Sequence, residues 1–239
     1  MTFDFSLWDA VLIGVVTIQC LLIAYAESPK WKGLFLTLPL PFTAVVMSVG
    51  RPIDASTIAA LFVLLVYTQS VRLLSNRLHV PIVLAIGTGV AIYAVIGLGC
   101  AKLVPTGDTP FWVACAVTIP TGLLLHSRHR KETEHPHRTT LPIALKLPAI
   151  LAVLGLLLTL KHALAGFAPL FPLVSVVGAY ETRHSLWTLA RPVFTLMVAI
   201  PPMLIVTRLT QPSFGLGGGL ALGWVVFLPI LFLLRRDQQ

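Results

Sequence analysis

The sequence predicts an all-α fold: a polytopic transmembrane bundle of about nine helices, arranged as two inverted four-helix repeats plus a linker helix. Three observations predict it. The 239 residues are 56% hydrophobic and only 11% charged, with a mean hydropathy of +0.90. Apolar runs long enough to cross a bilayer recur along the whole chain. One proline-interrupted pattern occurs twice.

A soluble domain carries about 25% charged residues, and a surface this poor in charge cannot be solvated. Disorder fails for the opposite reason. Cys20, Cys100 and Cys115 are isolated thiols in apolar runs, so no disulfide scaffold is expected. The net charge of +8 is spread between apolar segments and makes no basic face for nucleic acid.

A bilayer core of about 30 Å needs roughly 20 apolar residues per helix. The segments that qualify are Leu7–Tyr25, Gly33–Val49, Thr57–Leu74, Val80–Cys100, Pro110–Leu125, Pro142–Leu160, Gly166–Tyr180, Leu186–Val206 and Gly215–Leu234. The second and seventh are short and interrupted by proline. The expected organisation is a first repeat over 1–105, a linker helix with a basic loop over 106–140, and a second repeat over 141–239.

Orientation follows from the Lys/Arg bias of the loops. Eleven bases fall on one side: Lys30, Lys32, Arg72, Arg77, Arg128, Arg130, Lys131, Arg138, Arg183, Arg235 and Arg236. Arg51, Lys102, Lys161 and Arg208 fall on the other, beside an N-terminal tail with Asp4 and Asp9. The N-terminus is therefore expected outside and the C-terminus in the cytoplasm. The opening MTFDFSLWDA has neither a basic n-region nor a small-residue cleavage site, so no cleaved signal peptide is expected.

An offset of 133 residues places Gly33 on Gly166, Pro39 on Pro172 and Leu40 on Leu173, with Arg51 opposite His184. The flanking helices agree in order, so helices one to four match helices six to nine. Equivalent helices lie five spans apart, an odd number, which inverts one half relative to the other. Inverted repeats with broken helices at corresponding positions recur in secondary transporters, whose sites lie near the midplane. Pro39 and Pro41 break one helix here; Pro169 and Pro172 break its counterpart. Each proline frees a carbonyl, which in hydrocarbon needs a partner. A plain kink is the competing reading.

The second half resembles the GlpM-type family of small four-helix bacterial inner-membrane proteins. The likeness lies in GFAPLFPLVSVVGAY (Gly166 to Tyr180) followed by LARPVFTLMVAIPPMLI (Leu189 to Ile205). Matching positions are Pro169, Leu170, Phe171, Pro172, Tyr180, Arg191 and Pro201; in the first half the turn reads PLPF and Met47 replaces the tyrosine. The resemblance implies a bacterial inner-membrane location and, through the family's name, a link to glycerol 3-phosphate metabolism. It carries no site residues.

Arg191 is the sharpest candidate for chemistry. It is about six residues, roughly 9 Å, into its helix, where an ionised group needs a partner or water. It could meet an anion, pair with Glu181, or snorkel to the headgroups. Lys146, one turn into helix six, is expected to snorkel. Thr37, Thr43 and Ser175 flank the proline breaks, Tyr67, Thr68 and Gln69 cluster in helix three, and Tyr93 and Tyr180 stand at depth or interface. Local hydrogen bonding is the commoner job of such groups. The expected substrate-contacting set is Arg191, Pro39, Pro41, Thr37, Pro169, Pro172, Ser175, Tyr180 and Gln69.

Gly215, Gly219 and Gly223 share one face of helix nine, and Gly87, Gly89, Gly97 and Gly99 mark helix four. Such spacing suits close packing, internal or in a homodimer. No GxxxxGK[ST], HExxH or GxSxG occurs, and no nucleophile–base pair suggests an enzyme. The loop HSRHRKETEHPHR holds His126, His129, His135 and His137 with Glu132 and Glu134, yet Glu27, Asp54, Asp108 and Glu181 all fall at helix ends. A metal path would need such groups inside the spans, so neither metal nor cofactor is expected. The leading reading is a secondary transporter or permease for a small anionic or phosphate-bearing metabolite or lipid. The alternative is a non-catalytic accessory or scaffold protein of an envelope-biosynthesis or lipid-metabolism complex. The lipid bilayer is a partner in either case.

Overall fold

The structure, a computed structural model, describes residues 6–128 and 143–236, apart from the side chains of Pro29, residues 143–146 and Arg236. Its helices are α1 (Leu7–Tyr25), α2 (Pro29–Thr37), α3 (Leu40–Val49), α4 (Ala55–Arg72), α5 (Ile82–Cys100), α6 (Asp108–Ser127), α7 (Ile143–Leu164), α8 (Leu173–Glu181) and α9 (Trp187–Arg236). A 3₁₀ turn over Ala165–Leu170 joins α7 to α8. The architecture is an all-α bundle with several long apolar helices, as expected of a polytopic membrane protein.

Local chemistry sets the boundaries. Ser6 and Asp9 form a reciprocal capping box at the start of α1. The Asp54 carboxylate caps α4 by accepting from the Ser56 and Thr57 N–H groups, at 3.0 and 3.3 Å. Gly50, at φ 65°, closes α3 in the left-handed conformation that glycine adopts without strain.

Several of the expected spans are built differently from plain helices. The segment expected at Gly166–Tyr180 is a 3₁₀ turn followed by a nine-residue helix. Every residue from Phe167 to Val174 is buried, so this irregular piece lies at the centre of the bundle. The last two spans are one hydrogen-bonded run, broken at Gly215 (φ 70°, ψ 175°). The limbs on either side of Gly215 fold back on each other. A Cβ on Gly219 would lie 2.8 Å from the Thr207 carbonyl, and one on Gly223 would lie 2.8 Å from that of Met203. These glycines pack inside the chain. Gly89 does the same against Tyr67 and Val71, and Gly97 against Leu164 and Phe167.

Among the described residues seven helices are long and apolar enough to cross a membrane, the last of them folded back at Gly215, and the turns gather at two ends. One carries Ser6, Asp9, Ser48, Asp54, Asp108, Lys161 and Arg208; we call it the Asp9 end. The other carries Lys30, Lys32, Arg72, Glu181, Trp187, Arg191 and Arg235; we call it the Arg191 end. The first limb of α9 packs on α6, where Gly122 lies against Met197. Lys146 lies in α7 with its side chain outside the described residues. Of the histidine-rich loop, His129, Glu132, Glu134, His135 and His137 lie outside them too. Among the described residues no three His, Cys, Asp or Glu side chains gather as metal ligands.

Candidate functional site

The two proline breaks have the same backbone geometry. Leu38 (φ −74°, ψ 114°) is extended and Pro39 (φ −82°, ψ 43°) opens α3; Phe171 (φ −54°, ψ 135°) is extended and Pro172 (φ −74°, ψ 47°) opens α8. Their hydrogen bonds also correspond. Leu38 N–H donates to the Phe35 carbonyl at 3.3 Å and Phe171 N–H to that of Ala168 at 3.1 Å. Past the break, Thr43 N–H donates to Pro39 at 3.1 Å and Val176 N–H to Pro172 at 3.0 Å. Each of these pairs is 133 positions apart. The cause is proline itself, which lacks the N–H that would extend the ladder.

The broken segments run antiparallel. The Lys32 ammonium donates to the Glu181 carbonyl at 3.2 Å. Gly178 lies so close to Leu36 that a Cβ would sit 2.7 Å from its methyl carbon. At the far end, Val46 and Val49 share a small pocket with Gly166 and Pro169.

Freed carbonyls at depth are bonded by side chains from elsewhere. The Gln19 amide, from the middle of α1, donates to the carbonyls of Phe35 and of Leu38, the latter at 3.0 Å. The Tyr93 hydroxyl, from α5, donates to the Phe167 carbonyl at 2.8 Å, its ring edge-on to Phe171. The Thr43 hydroxyl donates to the Pro39 carbonyl at 3.1 Å and accepts from the Trp224 indole at 2.9 Å. Thus α5 braces the break of the second half, and the last limb of α9 braces the break of the first.

At the Asp9 end, three elements meet in a buried clasp. The Lys161 ammonium donates to both Asp9 oxygens, at 2.7 and 2.8 Å, and to the Ser48 hydroxyl at 2.9 Å. Asp9 is 1% exposed and Lys161 5%. Nearby, the Arg208 guanidinium donates to Asp108 at 2.7 Å and to the Ile53 carbonyl.

The Arg191 end is dominated by bases. The Arg72 guanidinium lies 4.0 Å over the Trp187 ring and donates to Gln69 at 2.8 Å. Arg235 donates to the Lys30 carbonyl at 2.8 Å and is close enough to Arg191 for the two charges to repel. Arg183 covers the Tyr180 ring at 4.8 Å.

The expected site residues therefore divide. Pro39, Pro41, Pro169 and Pro172 are buried at the breaks, and Ser175 is half-buried in the first turn of α8. The Thr37 hydroxyl bonds the Leu34 carbonyl at 2.8 Å, the local role anticipated for it. Arg191, Tyr180 and Gln69 belong to the Arg191 end, away from the breaks. Since α9 begins at Trp187, Arg191 stands about 6 Å into the helix. Among the described residues it makes no ion pair with Glu181.

Sequence reasoning missed the Asp9–Lys161 pair, having assigned Asp9 to a tail and Lys161 to a loop. Glu181 stands at a helix end, as expected, and is buried there at 1% exposure. Gln19 did carry a signal: it is the one amide in the apolar run of α1. Comparison with known proteins returns no matching family model, curated protein or solved structure.

Proposed function

We propose that the chain is a secondary transporter or permease. It is built from two inverted four-helix repeats and passes a small anionic or phosphate-bearing metabolite or lipid along the broken helices. The observation that carries this reading is the pair of proline breaks. They match in dihedral angles and hydrogen bonds at one constant offset, in segments that run antiparallel. Two further facts support it. The bracing is reciprocal, each half's last helix holding the other half's break. The ends of α4 and of the first limb of α9 also cross reciprocally, Arg72 meeting Trp187 and Arg208 meeting Ile53. Short, matched, broken helices are the architecture that lets one repeat rock against the other. The excess of base at the Arg191 end supports an anion as cargo, and the loop bias supports placing that end in the cytoplasm. The same proposal takes the chain to be non-enzymatic, in a bacterial inner membrane, with its second half akin to the GlpM-type family.

Single cysteines in a background lacking Cys20, Cys100 and Cys115 test the topology. Inverted repeats require positions 30 and 183 to label from the same face; labelling from opposite faces ends the proposal. Uptake of labelled phosphate or phosphate esters by proteoliposomes tests the activity.

The accessory or scaffold reading has one observation in its favour. The break carbonyls are already bonded by Gln19, Thr43 and Tyr93, which is how a static bundle would satisfy them. Intact topology without flux of any anion would select it.

A further inference from the structure

The two limbs of α9 lie antiparallel, with Gly219 against Thr207 and Gly223 against Met203. Carried along the hairpin, that register sets Arg235 directly across from Arg191, and the two guanidinium groups are near enough to repel. Neither is placed to relieve the other. Arg235 spends one N–H on the Lys30 carbonyl at 2.8 Å. Arg191 makes no hydrogen bond or ion pair among the described residues, and its Nε is wholly buried without a partner. A guanidinium has five donors and no acceptor, so a carbonyl or water cannot cancel its charge. Two such groups facing each other across the hairpin, half-buried and without an acid on either, offer converging donors to an anion. One helical turn before Arg191, the Trp187 ring lies under the Arg72 guanidinium and packs T-shaped with Phe194.

We propose that Arg191 and Arg235 form a binding site for a phosphate group at the Arg191 end of the bundle. Two planar forks match the tetrahedral oxygens of a phosphate better than they match a single-atom anion. The group can come from an anionic lipid headgroup or from a soluble phosphate. The site's role in uptake rests on the permease reading; its occupancy does not.

The experiment uses the full-length protein purified in detergent. Its melting temperature is followed with inorganic phosphate and with chloride at equal ionic strength, and native mass spectrometry compares phosphatidylglycerol with phosphatidylcholine. The expected result is phosphate-dependent stabilisation, preferential retention of phosphatidylglycerol, or both; phosphate alone identifies a soluble ligand and phosphatidylglycerol alone a headgroup. Arg191→Gln and Arg235→Gln should each weaken the response at least tenfold. Arg77→Gln, which removes an exposed charge at the same end, should leave it unchanged. Arg191→Lys keeps the charge but loses the fork, and should bind weakly while folding normally, which covers the case of a misfolded glutamine variant. The proposal is overturned if the wild type prefers neither phosphate probe, or if both glutamine variants respond as the wild type does. Phosphate uptake by proteoliposomes separates this from the permease reading. Binding without flux keeps the site and ends the permease reading, whereas flux unaltered in Arg191→Gln keeps the permease and removes the site's role in transport.

Discussion

Lys161 and Arg191, at opposite ends of the bundle, hold their charge in opposite ways. At the Asp9 end each buried or half-buried cation has its acid: Lys161 has Asp9, and Arg208 has Asp108. At the Arg191 end, Arg235 meets the Lys30 carbonyl, and the half-buried Arg191 makes no ion pair among the described residues. The first arrangement is complete within the chain and ties α1, α3 and α7 together. At Arg191 and Arg235 the pairing is incomplete, and in the proposed phosphate site an anion completes it. A charge away from water is thus no single signal: paired with an acid, as at Lys161, it fixes structure; without one, as at Arg191, it leaves room for the ligand proposed above.

The largest expected effect comes from breaking the completed end. Asp9→Ala leaves the Lys161 ammonium buried without its counter-charge, and removing one partner of a buried pair costs about 3–5 kcal/mol. Thermal unfolding in detergent should show the loss. Asp9→Leu combined with Lys161→Met removes both charges at similar volume and should recover most of it. A single variant as stable as the wild type would mean that water reaches the clasp, and the contrast between the ends would fall.

Between the ends, the breaks offer a smaller effect. Gln19→Leu leaves the Phe35 and Leu38 carbonyls without their side-chain donor, at about 1–3 kcal/mol for an unsatisfied buried group. Tyr93→Phe removes one donor from Phe167 and should cost about 1 kcal/mol. If the breaks are hinges held by these bonds, both variants should also change uptake; equal uptake would leave them as structural braces.

Gly166→Ala probes the junction where the 3₁₀ turn begins. A Cβ there would sit 1.8 Å from the Ser56 hydroxyl and 2.9 Å from Asp54, so crowding should cost about 1–3 kcal/mol. Adding Ser56→Ala should return part of it, since the hydroxyl is the nearest atom. No recovery in the double variant would place the strain in the backbone, beside Ala165 at φ 49°.

Gly166 also shows how far the sequence could be read. Its match with Gly33 helped to reveal the repeat, yet a Cβ on Gly33 meets nothing within 4 Å. The two glycines share a position without sharing a reason. The breaks were legible because proline's missing N–H is a local property. So were the long apolar spans, whose length is set by the bilayer. Asp9 and Lys161 are 152 residues apart, and no local pattern announces a pair at that distance. Counting bases by loop placed Arg235 as a flanking charge. Only the fold-back at Gly215 (φ 70°) brings it opposite Arg191, and a glycine turn does not disclose register.

The smallest expected change in stability belongs to Arg191→Gln, and its sign separates the ends most sharply. At the Asp9 end, losing a cation leaves an acid buried and unpaired. Here, losing a cation relieves repulsion, so in anion-poor buffer the variant should match or slightly exceed the wild type, within about 0.5 kcal/mol. Salt adds a second handle. Raising sodium gluconate from about 0.1 to 1 M shortens the Debye length from roughly 10 to 3 Å. Wild-type protein should gain stability as the Arg191–Arg235 repulsion is screened, and Arg191→Gln should gain less. An equal gain in both would show that the guanidinium groups already reach water, as snorkelling side chains do. The Arg191 end would then be as neutral in its energetics as the Asp9 end, for a different reason.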